Sequence, residues 1–228
     1  MTRETLITAI ASQIESVRSG HPTRVAIDGI DAAGKTRMAD ELAEALRARN
    51  RLVIRASIDG FHNPTAYRLA RGPDSPEGYF CDSFNYAAVM ESLLEPLGPG
   101  GSRLFRDAMY DYRTDKPVEC PVRQANPNAI LLMDGVFLLR PELRPYWDYS
   151  VFVRVNFEVA LHRAEQRDLQ HFESTEALRA KYEARYFPGQ RIYFEACNPL
   201  RWASVIVDNN NLRAPFVVVP TASPSNVA

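Results

Sequence analysis

The chain has 228 residues, 46% of them apolar and 24% charged, with a formal net charge of −1. That suits one α/β domain with a sizeable core and leaves no basic excess for a nucleic-acid surface. Cys81, Cys120 and Cys197 are far apart and without CxxC spacing, which argues against a disulfide framework or zinc site and fits a reducing cytoplasm. No apolar run reaches the roughly 18–20 residues of a membrane span, and Met1-Thr2-Arg3-Glu4 leads into an amphipathic segment rather than a leader. The expectation is a soluble, cytoplasmic protein acting on a small molecule, with neither nucleic acid nor membrane as partner and with homo-oligomerisation left open.

Leu6, Ile10, Ile14 and Val17 are spaced for a helix over residues 4–18, within an N-terminal segment 1–20. Arg24 to Asp28 reads as a short buried strand. A glycine-bearing loop follows, and Met38, Leu42, Ala45 and Leu46 mark a helix ending near Asn50. Leu52 to Ile58 is a second strand, closing a β-loop-α-β unit of the parallel kind. Periodicity vanishes from Asn63 to Phe84, where Gly72, Pro73, Pro76 and Gly78 predict a long loop. Tyr86 to Leu97 reads as a helix stopped by Pro96 and the cluster Gly98-Pro99-Gly100-Gly101.

Residues 103–125 form an irregular, β-rich stretch, and Ala129 to Gly135 is the clearest buried strand. Tyr149 to Val155 is a further strand, Phe157 to about Asp168 a helix, and 173–197 largely helical. Ala203 to Val207 is a late strand, and the tail from Thr221 is expected to fray. Strands alternating with helices indicate one α/β domain over 1–228, a doubly wound parallel sheet with helices on both faces.

Gly29-Ile30-Asp31-Ala32-Ala33-Gly34-Lys35-Thr36 fits the pattern GxxxxGKS/T between a strand and a helix. Small residues let successive backbone N–H groups turn inward around phosphate oxygens, and the helix start adds its positive dipole end. Lys35 is a point charge for the β/γ phosphates of ATP, and the Thr36 hydroxyl is placed to ligate Mg2+. Asp134, ending the apolar run Ile130–Met133, is set to bind the same Mg2+ directly or through water; its plainer reading is a cap or turn residue.

Asp59-Gly60-Phe61-His62 follows the second strand, at the end that lines the ligand crevice of a parallel sheet. An alcohol loses its proton as it attacks phosphorus, so a carboxylate there favours an alcohol acceptor. A phosphate acceptor is already ionised and needs arginines instead. Asp59 also reads as a turn or cap residue, and His62 as a substrate contact or a loop-packing group. A nucleoside-monophosphate kinase and a nucleotide-binding switch remain the rival classes.

Taken in order, GIDAAGKT (29–36), DGFH (59–62), Tyr110-Asp111-Tyr112, MDGVFLLRPEL (133–143) and Arg163 to Asp168 resemble the uridine kinase family, over roughly residues 23–210. That family stands in a wider group with phosphoribulokinase and bacterial pantothenate kinase. The resemblance implies a P-loop kinase fold with a helical lid over 160–200, an acceptor-binding insertion over 63–125 and a flexible tail over 220–228. It implies that Asp59 activates a nucleoside 5′-hydroxyl beside the metal, and that Asp134 takes the place of the family's Glu. It implies further that Asp82 holds the ribose hydroxyls, that Tyr110 and Tyr112 lie against the nucleobase, and that Arg163 and Arg167 close over the phosphates. Asp82 otherwise reads as a helix cap, the tyrosines as sheet-face residues and the arginines as a solvated face. Where that family carries a base-reading His and a following Arg, the counting here falls on Asp115 and Pro117, which predicts weak discrimination between pyrimidines or another acceptor.

Overall fold

The computed structural model describes residues 2–218 and begins with α1 (Arg3–Ser16), whose first turn is capped by Thr2 accepting from the Thr5 amide. Next come β1 (Thr23–Gly29), α2 (Lys35–Arg47), β2 (Val53–Ser57) and a 3-10 turn over Ile58–Phe61. The middle of the chain holds α3 (Thr65–Arg68), α4 (Pro76–Asp82) and α5 (Tyr86–Val89), which runs on as a wider π-turn to Leu94. Four two-residue strands follow: β3 (Leu104–Phe105), β4 (Tyr110–Asp111), β5 (Lys116–Pro117) and β6 (Arg123–Gln124). The second half contains β7 (Ile130–Gly135), β8 (Tyr149–Arg154), α6 (Phe157–Asp168) and α7 (Thr175–Lys181). It closes with α8 (Phe187–Cys197), α9 (Pro199–Trp202), β9 (Val205–Asp208) and β10 (Phe216–Val218).

One six-stranded sheet, in the order β10-β9-β8-β1-β7-β2, organises these elements, all parallel except β10, which runs antiparallel to β9. The central strands are buried on both faces, so their side chains sort by alternation alone. Val25, Ile27, Ile130, Leu132, Val151, Val153, Val205 and Val207 join the core under α1, α2 and α6–α8. Ala26, Leu131, Met133, Phe152 and Ile206 point the other way, into a core with Ile58, Phe61, Phe80, Leu93 and Leu97. Because the strands are parallel, β1, β2, β7 and β8 end at one edge, where Gly29, Ser57, Gly135 and Arg154 open their loops. Among the described residues no helix is long and apolar enough to cross a membrane.

Some expectations are corrected. The stretch 63–84 is not structureless: Ser75 caps α4 by accepting from the Gly78 amide, and Pro76 starts it without wasting a donor. Asp82 does not cap the next helix; it ends α4, and Asn85 caps α5 by accepting from the Ala88 amide. The helix expected over 86–97 widens into a π-turn before Pro96, and the one over 173–197 does so over Tyr182–Tyr186, before Pro188. In both places a proline cannot supply the regular i→i−4 hydrogen bond, and the wider turn lies just ahead of it. The terminal tail lies outside the described residues.

Candidate functional site

β1 delivers the chain to the phosphate loop through Gly29, where a Cβ would collide with the Val153 carbonyl oxygen of the neighbouring strand. Ala32 (φ 55°) and Gly34 (φ 91°) then turn the backbone, and α2 starts at Lys35 with no side chain capping its first turn. Its leading N–H groups are therefore available to an anion. Lys35 Nζ donates to the Ile30 carbonyl at 2.8 Å, folded back over the loop it serves. The loop is braced from three sides. Asp31 accepts from Tyr79 Oη (2.6 Å) and Gln190 Nε2 (2.7 Å), and fully buried Asn209 donates Nδ2 to the Ala33 carbonyl at 2.7 Å. Below it, Asp28 accepts from the amides of Gly29 (2.6 Å) and Leu139 (2.9 Å) and from the Tyr193 hydroxyl. Burial pushes the Asp28 carboxyl up to about 6, against the pull of those hydrogen bonds.

The Thr36 hydroxyl donates to Asp134 Oδ2 at 2.6 Å, and Arg55 Nη2 donates to Asp134 Oδ1 at 2.9 Å. Thr36 faces solvent, whereas Asp134 is buried at the end of β7. The oxygens of Thr36, Asp134 and Asp59 are the hard donors that Mg2+ prefers, and they are too few to cage it without phosphate and water. Among the described residues no three His, Cys, Asp or Glu side chains converge as a metal cluster. The donor set therefore fits a cation carried largely by a nucleotide.

Asp59 sits in the 3-10 turn beyond β2. The residue is exposed as a whole, yet loss of water around its carboxyl raises it to about 6. Asp31 and Asp134 push the same way, and Lys35 and Arg167 oppose them. His62 Nδ1 donates to the Asp59 carbonyl (3.0 Å), and its ring lies 4.5 Å from Phe84 and 4.7 Å from Tyr112. That partly buried packing lowers its pKa to about 4, so the ring is neutral at pH 7. A carbonyl can only accept, so Nδ1 carries the proton.

The remaining expected residues divide. Arg167 lies within electrostatic reach of Asp59 and Asp31 while gripping Asp168 through two bonds of 2.6 and 2.7 Å. Arg163 turns elsewhere, donating to the carbonyls of Asn209 (2.8 Å) and Asn210 (2.9 Å) after β9. Asp82 is paired with Arg71 at 2.6 Å. Tyr112 covers His62, whereas the Tyr110 hydroxyl donates to Asp115 (3.0 Å). Asp115 also accepts from the Thr65 amide and hydroxyl, both at 2.8 Å, so its carboxylate ties the β4–β5 hairpin to α3.

Sequence reasoning missed Arg55, Tyr79, Gln190 and Asn209. For Asn209 a signal existed: Asp208-Asn209-Asn210-Asn211 follows a parallel strand at its ligand-facing end. The others act across 48 to 159 positions of sequence and had none. Two surface hollows, about 560 Å³ between α1 and α2 and about 470 Å³ along β2, include none of Lys35, Thr36, Asp59 or Asp134 in their walls.

The sheet order, the strand-loop-helix at Gly29–Thr36 and the flanking helices define the architecture of P-loop kinases. A candidate uridine kinase from Bacillus stearothermophilus superposes with a TM-score of 0.69 at 21% identity, over 88% of this chain and 96% of that one. A candidate fructose transport system kinase from Silicibacter sp. TM1040 gives 0.70 at 22%, over 86% and 96%. D-glycerate 3-kinase from Cryptococcus neoformans gives 0.58 at 11%, over 94% and 97%. No protein-family model matches the chain. In sequence it is distantly related to proteins named uridine kinase. It is 22% identical to uridine kinase from Ligilactobacillus salivarius over 197 residues, 83% of this chain and 86% of that one. It is 26% identical to uridine kinase-like protein 3 from Arabidopsis thaliana over 156 residues, 68% of this chain but only 32% of that relative's length.

Proposed function

We propose that the protein is a kinase that moves the γ-phosphoryl group of ATP to a primary hydroxyl of a small molecule, with the 5′-hydroxyl of a nucleoside as the leading acceptor. The observation that carries this reading is Asp59: a carboxylate just beyond β2, within electrostatic reach of the phosphate-loop Lys35 and of Arg167, beside the neutral His62–Tyr112 pair. In the reaction, the acceptor oxygen attacks the γ-phosphorus, the bond from that phosphorus to the β,γ-bridging oxygen breaks, and ADP leaves. Asp59 takes the hydroxyl proton. Lys35 and the amides of Gly29–Thr36 hold the β and γ phosphates, and Arg167 faces the charge that builds on the transferred group. Thr36 and Asp134 would hold Mg2+, which when bound offsets phosphate charge.

Within this reading His62, Tyr112, Asp82 and Tyr110 serve the acceptor. Arg163 shapes the loop after β9, and residues 63–125 and 160–200 serve as acceptor insertion and lid of one domain. The names of the relatives favour a nucleoside, while fold neighbours named D-glycerate 3-kinase and candidate fructose transport system kinase keep another small alcohol as the second reading. The test is incubation with Mg-ATP and a panel of nucleosides, nucleoside monophosphates, pantothenate and small sugars, read by mass spectrometry. A phosphorylated neutral alcohol is the expected product. Phosphorylation of monophosphates alone would move the protein to the nucleotide kinases.

A further inference from the structure

Arg55 makes an unusual set of contacts for a residue on an edge strand. β2 pairs with β7 in a register that sets Arg55 opposite Leu132 and Ser57 opposite Asp134, so Arg55 and Asp134 lie two positions apart along the pair. From there its guanidinium donates to the Leu132 carbonyl (2.7 Å), to Asp40 on α2 (3.0 Å) and to Asp134 Oδ1 (2.9 Å). A buried carboxylate left without a partner would be costly, and here the partner is a full positive charge pinned by two other elements. Asp134 keeps no oxygen without a donor, since Oδ2 already accepts from Thr36.

The charges around the metal end of the site follow from this. Lys35 and Arg55 stand among the carboxylates of Asp31, Asp40, Asp59 and Asp134, and both Asp134 oxygens are taken, Oδ1 by Arg55 and Oδ2 by Thr36. With both Asp134 oxygens occupied by donors, a divalent cation finds too few free oxygens here until phosphates supply their own. We propose that Arg55 is a positioning residue that neutralises Asp134 and fixes it as a hydrogen-bond acceptor for Thr36, so that the divalent cation enters only together with the nucleotide. The proposal rests on Thr36 and Asp134 being the metal end of the site proposed above.

Mn2+ titration of the nucleotide-free protein, followed by electron paramagnetic resonance of the unbound ion, tests it. Wild type is expected to show no saturable binding at sub-millimolar Mn2+ without nucleotide, and to bind Mn2+ once ATP is added beyond what the same ATP takes up without protein. Arg55→Met removes the charge and keeps much of the bulk; Arg55→Gln is the milder second variant if the first does not fold. Either is expected to bind Mn2+ without nucleotide at least about tenfold more tightly than wild type, because a unit positive charge beside the carboxylate is gone. A purely structural arginine would lower stability without raising metal affinity. Saturable Mn2+ binding by nucleotide-free wild type, or unchanged affinity in the folded variants, would overturn the proposal. No acceptor takes part in this measurement, so failure to transfer phosphate would count against the proposed function and not against Arg55.

Discussion

Asp28 stands at the foot of the phosphate loop, wholly buried, with a carboxyl pushed up to about 6 by that burial. An unfolded chain titrates it near the usual 3.8. Between those values the folded protein holds the extra proton, so this group's contribution is fully present below about pH 4 and is lost as pH rises through 6. Replacement by Asn, which keeps the size without the charge, isolates the effect. In urea unfolding, Asp28→Asn is expected to gain on wild type by on the order of 2–3 kcal/mol between pH 4 and pH 7. Parallel stability curves across that range would contradict it. One turn onward, Lys35→Ala leaves the backbone cradle intact while removing the charge over the β/γ phosphates. A large loss of turnover with a smaller loss of ADP binding, measured by calorimetry, is expected; near-normal turnover would take the loop out of phosphoryl transfer. The cradle was legible because its eight residues are contiguous. Asp28 read only as the end of a strand, since its burial and its Tyr193 partner come from elements far along the chain.

At the scale of elements, the turn between α7 and α8 holds the α3–α4 connection, part of the proposed acceptor insertion, in shape. Buried Arg185 donates to the carbonyls of Arg68, Gly72, Pro73 and Ser75, and Lys181 adds the Pro73 carbonyl at 2.6 Å and Asp74 at 2.9 Å. Arg185→Leu strands those carbonyls. It is expected to lower stability by about 2–4 kcal/mol and to speed hydrogen exchange over 68–76 while β1 and β7 stay protected. Uniform exchange changes across the whole sheet would show that the arginine acts globally instead. Asp115, expected where a base-reading side chain would stand, instead latches the β4–β5 hairpin to α3. Asp115→Ala should therefore raise the KM for the acceptor and proteolytic sensitivity near Thr65 together; a change in acceptor preference without loosening would instead make Asp115 a base-reading residue. The long helices and strands were readable from periodicity. α4 was not, because Gly78 and two prolines read as breakers, although Ser75-Pro76 carried the cap that starts it.

Over the whole molecule, alternation along β1, β7, β8 and β9 assigns their side chains to two cores, and parallel pairing then forces the loops after Gly29, Ser57, Gly135 and Arg154 to one edge. That logic made the fold and the phosphate-handling side readable from sequence. The proposed acceptor side was less so: the residues assigned to it come from the turn after β2, from α4 and from a hairpin of two-residue strands, whose packing no local pattern encodes. The central claim is an alcohol acceptor activated by Asp59, and transfer of labelled γ-phosphate to a neutral nucleoside, set against transfer to its 5′-monophosphate, tests it most directly. The comparison is made at pH 7.5–8 with saturating Mg-ATP for wild type and Asp59→Asn. The account predicts label in the monophosphate product and a rate loss of ~10²–10⁴ in the variant with ATP binding retained. Label found only in the diphosphate, or a loss below about tenfold in a folded Asp59→Asn, would contradict it.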